Sequence, residues 1–343
     1  MNNSYWRLAR LLMVGLATTF FVGCQKDSRP TLEANPSNVS LVRGEFNARE
    51  GGATEKVNPL ADPNRQPQWA VMIRGRFQIQ GTAPSRKPLN VDKNKAICLA
   101  AGPIRSEKVI VGGDNGIQNV LIFLSTDLPR DESGKDSPLW VHPMYDYDKV
   151  EAGEFEAKYP QQSRFAIFNQ DGCRFLTHLL AVRSDQVIKL TNSDRVGHNT
   201  KFDPLKATGT SAQLGLGEVK EHILGKQEKQ PFFVSCGAHS WMGAYMISRD
   251  NPYFAVTNDD PESKQSGSFA IANVPAGVEL EFRVWHEVTK FVDPSSFASF
   301  KINGQDILGS LKRGGKFKFT PEAGETYNIE AVIKASAFPS TVK

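Results

Sequence analysis

From Trp69 onward, the chain consists of short runs of β-branched, aromatic and other apolar residues that are separated by Gly, Pro, Asn and Asp. The segments "WAVMIRGRFQIQG" and "IQNVLIFLS" show the pattern, and "GSFAIANVPAG" and "VELEFRVW" continue it towards the C-terminus. Turn residues at such short intervals favour strands over long helices, and no segment of comparable length has apolar residues at helical spacing. The sequence therefore predicts an all-β protein in which short strands form Greek-key sandwiches.

This pattern and the residues before it divide the chain into four regions. Residues 1–23 are predicted to be a signal peptide, and residues 24–66 a flexible tether that is too polar to bury a core. Residues 67–250 are predicted to form the first β-sandwich domain, with an insertion near 130–165. Residues 251–343 resemble the small sandwiches of transthyretin-like and carboxypeptidase-regulatory modules, and their pattern fits either a separate domain or further strands of the first one.

The N-terminus carries a targeting pattern. Arg7 and Arg10 precede an apolar run at residues 11–22, which is short for a membrane span and ends in "FVGC". This ending resembles the lipobox of bacterial lipoproteins, which implies cleavage before Cys24, lipidation of that cysteine and a membrane-anchored protein facing the periplasm. Gln25 favours the outer membrane. The alternative is an ordinary signal peptide or an uncleaved anchor.

Charge and cysteine content restrict the function and the compartment. The formal net charge is +4, and removal of the N-terminal arginines leaves the mature chain close to neutral, which argues against a nucleic-acid partner. With Cys24 lipidated, an exported chain keeps an odd number of cysteines. Cys98 and Cys173 are not in ligand-rich segments, so we expect them to form a disulfide, which leaves Cys236 free.

The free cysteine lies in the segment "CGAHSWM", which places Cys236, His239 and Met242 within seven residues. Predicted strands precede and follow it, so the segment forms an interstrand loop. His198, in "NSDRVGHN", follows another predicted strand and can approach this loop. Two imidazoles, one thiolate and a thioether form the ligand set of a type 1 copper site. We therefore predict that these four residues bind one copper ion.

The same residues carry a resemblance to a known family. His-Asn followed at a distance by Cys-x2-His-x2-Met resembles the cupredoxins, with the loop spacing of amicyanin. The segments "CRFLTHLLAVRSDQVIKLTNSDRVGHN" and "HSWMGAYMISRDNPYFAVTNDD" are similar to exported plastocyanin-like proteins described as methylamine-utilisation-like. The resemblance covers residues 95–290 and implies one-electron transfer with an unidentified redox partner protein. It also implies that Asn199 steadies the cysteine loop. Ser240 and Thr177 replace the prolines expected there.

One expectation and one alternative concern the candidate ligands. His239, beside Trp241 and small residues, is predicted to be the ligand nearest to solvent, so that electrons pass through its edge. The alternative is that Cys236 is a buried structural thiol, Met242 a core residue and His239 an ordinary loop histidine.

The remaining histidines, and the motifs that are missing, bear on catalysis. The sequence contains no His-x-His, no Gly-x-Ser-x-Gly and no His-Glu-x-x-His, so we do not expect an enzyme. A non-redox copper-binding or structural envelope lipoprotein is the alternative function. Structural positions are predicted for the histidines outside the ligand set, with His222 in a surface loop; these are His142, His178, His222 and His286.

Overall fold

The structure is a computed structural model, and it describes residues 60, 62, 64–258, 260 and 262–342. The predicted signal peptide, Cys24 and most of the predicted tether lie outside these residues. Among the described residues, no helix has the length and apolar content needed to cross a membrane.

Short strands dominate the described residues, which confirms the all-β prediction. In chain order they are β1 (Gln68–Trp69), β2 (Met72–Gln80), β3 (Ser85–Arg86), β4 (Leu121–Leu124), β5 (Phe165–Asp171), β6 (Arg174–Phe175), β7 (Leu179–Arg183), β8 (Val187–Asn192), β9 (His198–Phe202), β10 (Thr210–Leu214), β11 (Val219–Ile223), β12 (Phe232–Ser235), β13 (Gly243–Arg249), β14 (Phe254–Val256), β15 (Ser268–Ala272), β16 (Pro275–Ala276), β17 (Leu280–His286), β18 (Lys290–Phe291), β19 (Phe297–Ile302), β20 (Gln305–Asp306), β21 (Lys316–Phe319), β22 (Thr326–Lys334) and β23 (Thr341–Val342).

Among the described residues, helices are few and short. The α-helices are α1 (Lys95–Cys98) and α2 (Tyr147–Glu151), and the 3-10 helices are Pro138–Trp140, Pro143–Tyr145, Pro160–Gln162, Pro294–Ser296, Leu308–Ser310 and Ala335–Ala337. In the part of the first half of the chain that the structure describes, most helical turns therefore lie in the predicted insertion near 130–165.

Strands β5 to β13 form the first sandwich. One sheet has the order β10-β9-β12-β13-β7 and the other the order β11-β8-β5-β6. The neighbours β13 and β7 are parallel, as are β5 and β8, so the chain crosses between the sheets to make these pairs. The two inner faces meet in one core, where Phe168 and Ile188 of one sheet belong to the same buried cluster as Val234 and Met246 of the other.

The second sandwich contains strands from both ends of the described chain. Its sheets have the orders β14-β4-β17-β18, with β21 also on β17, and β15-β2-β22-β19-β20. Strand β2 pairs in parallel with β22, from Met72 opposite Thr326 to Gln80 opposite Lys334. A Cβ on Gly75 would lie 2.2 Å from the carbonyl oxygen of Ile329, so this pairing needs glycine there.

This pairing divides the chain differently from the predicted boundary at residue 250. We expected β2 and β4 to belong to the first sandwich, because they precede it in sequence, but both pair with strands that follow residue 250. Alternating apolar residues identify a strand without identifying its partner, and this partner is distant in sequence. The two sandwiches share a further buried cluster, in which Phe123 and Trp285 lie with Leu179 and Ile247.

A segment between β3 and β4, residues 87–106, covers one end of the first sandwich; we call it the strap. Its base is closed by hydrogen bonds from Leu89 N–H to the Ile104 carbonyl and from Ser106 N–H to the Lys87 carbonyl. Its tip carries α1 and is joined to the β5–β6 hairpin by a disulfide between Cys98 and Cys173, 75 residues apart. The predicted disulfide is therefore confirmed, and Cys236 is the free cysteine of the described residues.

Candidate metal centre

The pairing of β9 with β12 brings His198 and Cys236 together. The two strands are antiparallel, with Ser235 opposite Lys201, so Cys236 emerges next to the first residues of β9. The loop of residues 236–242 then turns back into β13. Two hydrogen bonds close this loop, from Met242 N–H to the His239 carbonyl at 3.0 Å and from Cys236 N–H to the Met242 carbonyl at 3.4 Å.

Three potential donor atoms face one another at this point. The Nδ1 atoms of His198 and His239 are 3.0 Å apart, and Cys236 Sγ lies 3.9 Å from the first and 3.8 Å from the second. The point in their plane that is equally far from all three is, from these edges, about 2.1 Å from each, close to the bonds of about 2.0 to 2.3 Å that imidazole and thiolate make to zinc. The residues present therefore fit a single first-row metal ion, and copper accepts the same donors.

The surroundings of Cys236 favour its thiolate form. Burial opposes ionisation, but hydrogen bonding with His198 and the Asn199 backbone N–H outweighs burial, so the pKa of this thiol is below its usual value. Asn199 N–H donates to Cys236 Sγ at 3.3 Å, and Asn199 Oδ1 accepts from Gly237 N–H at 3.2 Å. Asn199 thus contacts both the sulfur and the loop that follows it. A thiolate is the form of cysteine that binds metal.

A carboxylate holds the outer side of His198. Its Nε2 lies 3.0 Å from Asp194 Oδ2, which also accepts a 2.6 Å hydrogen bond from Cys173 N–H. Burial raises the pKa of Asp194, but the hydrogen bonds from His198 and Cys173 outweigh it and leave this pKa below its usual value. Burial lowers the pKa of His198, but Cys236 and Asp194 outweigh it and raise this pKa. With Nε2–H donated to Asp194, Nδ1 of His198 is directed towards the centre.

The strap covers the outer side of His239. Asn94, just before α1, accepts a 2.9 Å hydrogen bond from His239 Nε2 through its Oδ1. His239 is only 1% exposed, and burial together with the charge of His198 lowers its pKa. His239 therefore has no open edge, and the expectation that it is the ligand nearest to solvent stays a prediction. Its sequence neighbours suggested an open edge, but the covering residue is distant in sequence.

Cys173 connects the outer partners of the two histidines. Its N–H binds Asp194, and its disulfide with Cys98 anchors the helix that follows Asn94. Its carbonyl accepts a 3.1 Å hydrogen bond from Trp241 Nε1, and the Trp241 ring lies 4.9 Å from that of His239. The disulfide thus fixes the positions of groups on both sides of the centre.

Sequence reasoning missed Asp194 and Asn94. Asp194 carried a usable signal, because carboxylates are typical outer partners of metal-binding histidines and this one is close to His198 in the sequence. Asn94 is a single amide in a polar stretch and had no such signal. Met242 is buried in the same cluster as Cys236, but the hydrogen bonds of the loop involve only its backbone, so its role as a fourth ligand stays a prediction.

The remaining histidines lie elsewhere. His142 Nδ1 accepts from Met144 N–H and caps a 3-10 helix, and His286 is fully buried against Phe338. We expected His222 in a surface loop, but it lies on β11, where its ring is hydrogen-bonded to the Thr208 carbonyl.

No family model matches the chain, and no curated protein matches it. Three solved structures are similar to part of it. A copper-containing nitrite reductase from Thermus scotoductus SA-01 is 15% identical over 24% of this chain and 22% of its own, with a TM-score of 0.23. The P52G variant of amicyanin in its reduced Cu(I) form is 13% identical over 24% of this chain and 80% of its own, with a TM-score of 0.22. A purple cupredoxin from Nitrosopumilus maritimus is 19% identical over 20% of this chain and 76% of its own, with a TM-score of 0.18. Similarity at this level assigns no family.

Proposed function

We propose that this chain binds one copper ion through His198, Cys236, His239 and Met242 and transfers single electrons as a carrier rather than as an enzyme. The observation that carries the proposal is the triangle of two imidazole nitrogens and one sulfur, whose edges of 3.0, 3.8 and 3.9 Å suit a single ion. Bound copper would supply the one-electron chemistry.

The residues around the triangle have distinct roles in this proposal. Asp194 and Asn94 accept the Nε2 protons of the two histidines and so direct both Nδ1 atoms inward, as outer partners of metal-binding histidines do. The Asn199 amide stabilises the Cys236 thiolate. Burial of all three donor residues excludes water from the centre. A dry, pre-oriented site needs little rearrangement when the charge of its metal changes.

The absorption spectrum of the purified protein with Cu(II) tests the proposal. We expect an intense visible band from thiolate-to-copper charge transfer and a narrow copper hyperfine splitting. Cys236→Ser should abolish the band, whereas Met242→Leu should keep it and raise the reduction potential. A wild-type protein that stays colourless with Cu(II) would refute the proposed type 1 centre.

The burial of His239 also favours the second candidate function, a lipoprotein that holds copper without exchanging electrons. An ion beneath the strap is shielded on the side where we expected electrons to pass. The rate of electron exchange between oxidised and reduced copper-loaded protein separates the two functions. A coloured protein that exchanges electrons too slowly to serve a partner supports copper holding, and rapid exchange supports the carrier.

We also propose that the chain is exported and anchored to the membrane through a lipid on Cys24, with its folded part facing the periplasm. The "FVGC" sequence supports this, and the Cys98–Cys173 disulfide fits an oxidising compartment. Detergent partitioning and the N-terminal mass of the full chain, compared with a Cys24→Ser variant, provide the test. Equal partitioning and unchanged processing of the two proteins would contradict the anchor.

A further inference from the structure

A cavity of 330 Å³ lies beside the ligand loop. The strap, the β5–β6 hairpin, the ligand loop and the segment after β17 all contribute to its walls. Four of the residues in its walls are aromatic: Phe175, Phe233, Trp241 and Tyr245. Its size is near the lower end of the range of about 300 to 1,000 Å³ that is typical of small-molecule sites. It therefore suits a compact ligand with one aromatic ring.

The polar centre of the cavity is His178. Its Nε2 makes a hydrogen bond with the Glu287 carboxylate, and in the tautomer that donates this Nε2–H the other ring nitrogen, Nδ1, is an acceptor. This Nδ1 is buried and has no hydrogen-bond partner in the part of the chain that the structure describes. Glu107 Oε2 lies 3.8 Å from this nitrogen, beyond hydrogen-bond distance. A buried acceptor without a donor calls for a ligand that brings an O–H or N–H group.

The charges of the lining favour an uncharged ligand. Glu107 and Glu287 are offset by Lys108 and Arg174, which line the same cavity, and Arg174 Nη1 is bonded to Glu107 at 3.1 Å. The lining therefore holds two acidic and two basic side chains, whose charges balance. An ammonium group would find one carboxylate already paired with Arg174, whereas a hydroxyl group needs only the imidazole nitrogen. Aromatic walls and one acceptor together indicate a phenolic compound.

The cavity is next to the candidate metal centre. Trp241 and Met242 line it, and both belong to the loop that carries Cys236 and His239. The Trp241 ring is 4.9 Å from the ring of His239, so a ligand in the cavity is separated from a metal-ligand histidine by one aromatic side chain. This gives the centre a route to the outside that avoids the covered edge of His239.

We propose that this cavity binds a small phenol or hydroquinone, whose hydroxyl group donates to His178 Nδ1 and whose ring packs against Trp241 and Tyr245. Binding needs no metal. A second step rests on the proposed function: copper(II) held by His198, Cys236 and His239 would supply a one-electron oxidant, and a bound hydroquinone would give up one electron to it through Trp241 and His239, reducing it to copper(I). Its O–H bond breaks and the proton passes to His178 Nδ1, between Glu107 and Glu287. Two of the resulting hydroxyphenoxyl radicals disproportionate to one quinone and one hydroquinone.

Calorimetric titration of phenol into the metal-free protein tests the binding step. We expect phenol to bind saturably at millimolar concentration. Benzene, which lacks the hydroxyl group, should bind about tenfold more weakly, and the affinity of His178→Phe for phenol should fall by the same factor. His222→Phe is the matched control, because His222 lies on β11 and does not line the cavity. Unchanged phenol affinity in His178→Phe, or equal binding of benzene and phenol, would overturn the proposal.

A measurement on the wild-type protein covers the case in which His178→Phe fails to fold. The NMR signal of the His178 ring nitrogen should move on phenol addition while that of His222 stays in place; a stationary His178 signal contradicts the binding mode. In the copper-loaded protein, hydroquinone should bleach the thiolate band at least tenfold faster in the wild type than in His178→Phe. Phenol binding without any thiolate band would uphold the cavity and defeat the proposed copper centre. A normal thiolate band without phenol binding would uphold the proposed copper centre and defeat the proposed binding of phenol in the cavity.

Discussion

Replacement of Asn94 by glycine tests whether the strap contributes to the metal centre. The substitution removes the Oδ1 atom that accepts from His239 Nε2 at 2.9 Å. It leaves the backbone unstrained, because Asn94 has a φ of +49°, which glycine adopts freely. Asn94→Asp keeps both the acceptor and the tolerance of this conformation. The pair of variants therefore separates the hydrogen bond from the backbone.

The size of the effect follows from the surroundings of this hydrogen bond. Loss of an outer partner of a metal-bound histidine lowers metal affinity about 10- to 100-fold. Asn94 itself is exposed, so water can reach the vacated position and take over part of its role. We therefore expect the copper affinity of Asn94→Gly to fall by about tenfold, the lower limit of this range, which corresponds to about 1.4 kcal/mol of binding free energy. Asn94→Asp should bind the metal at least as tightly as the wild type.

Competition with a chelator of known affinity measures the change in copper binding, and urea denaturation of the metal-free proteins measures stability. Asn115→Gly is the matched control, because Asn115 is also exposed, has a φ of +64° and lies in a turn next to β2. An Asn94→Gly protein with the copper affinity of Asn115→Gly would refute the role of the strap.

Two further predictions concern stability. Replacing both Cys98 and Cys173 by serine should lower the free energy of unfolding by about 4.5 kcal/mol in the chain-entropy model for a separation of 75 residues, and should also weaken copper binding. Urea denaturation that gives equal stability for the variant and the wild type would contradict this. Burial lowers the pKa of His286 from 6.5 to about 4, so the unfolded chain binds the proton more readily in this interval, and stability should fall by about 3 kcal/mol as the pH drops through it. The free energy of unfolding should fall less with pH in His286→Leu than in the wild type. Identical pH profiles of stability for the two proteins would show that this histidine does not cause the fall.

The sequence was most informative where the relevant residues are close together or follow a simple period. Alternation along β8 predicts a strand, and its inward residues Ile188 and Leu190 are indeed buried. The spacing of Cys236 and His239 within one interstrand loop predicts that their donor atoms are neighbours. His198 follows because a residue at the start of β9 lies beside the end of its antiparallel partner.

Features that depend on pairing between segments far apart in the sequence could not be predicted. The partner of β2 is β22, and nothing in "MIRGRFQIQ" specifies it, since a strand of this pattern fits either sandwich. For the same reason, the cover over His239 could not be foreseen, because it comes from Asn94, in a short helical turn that a disulfide holds in place. Local patterns specify which residues face inward, whereas the shielding of a site depends on the tertiary arrangement.

The position of the disulfide has a consequence for the order in which the protein matures. The sulfur atoms of Cys98 and Cys173 and a ring nitrogen of His239 all lie within 4.8 Å of one another. Before oxidation, a folded chain would therefore present three thiols around the two histidines, and soft metal ions bind thiolates readily. Copper that arrived at this stage would have competing sulfur ligands, and the strap would lack its covalent attachment. Oxidation removes two of these thiols and leaves Cys236 as the remaining thiol among them. We therefore expect that the disulfide must form before copper can bind at the proposed centre without competition.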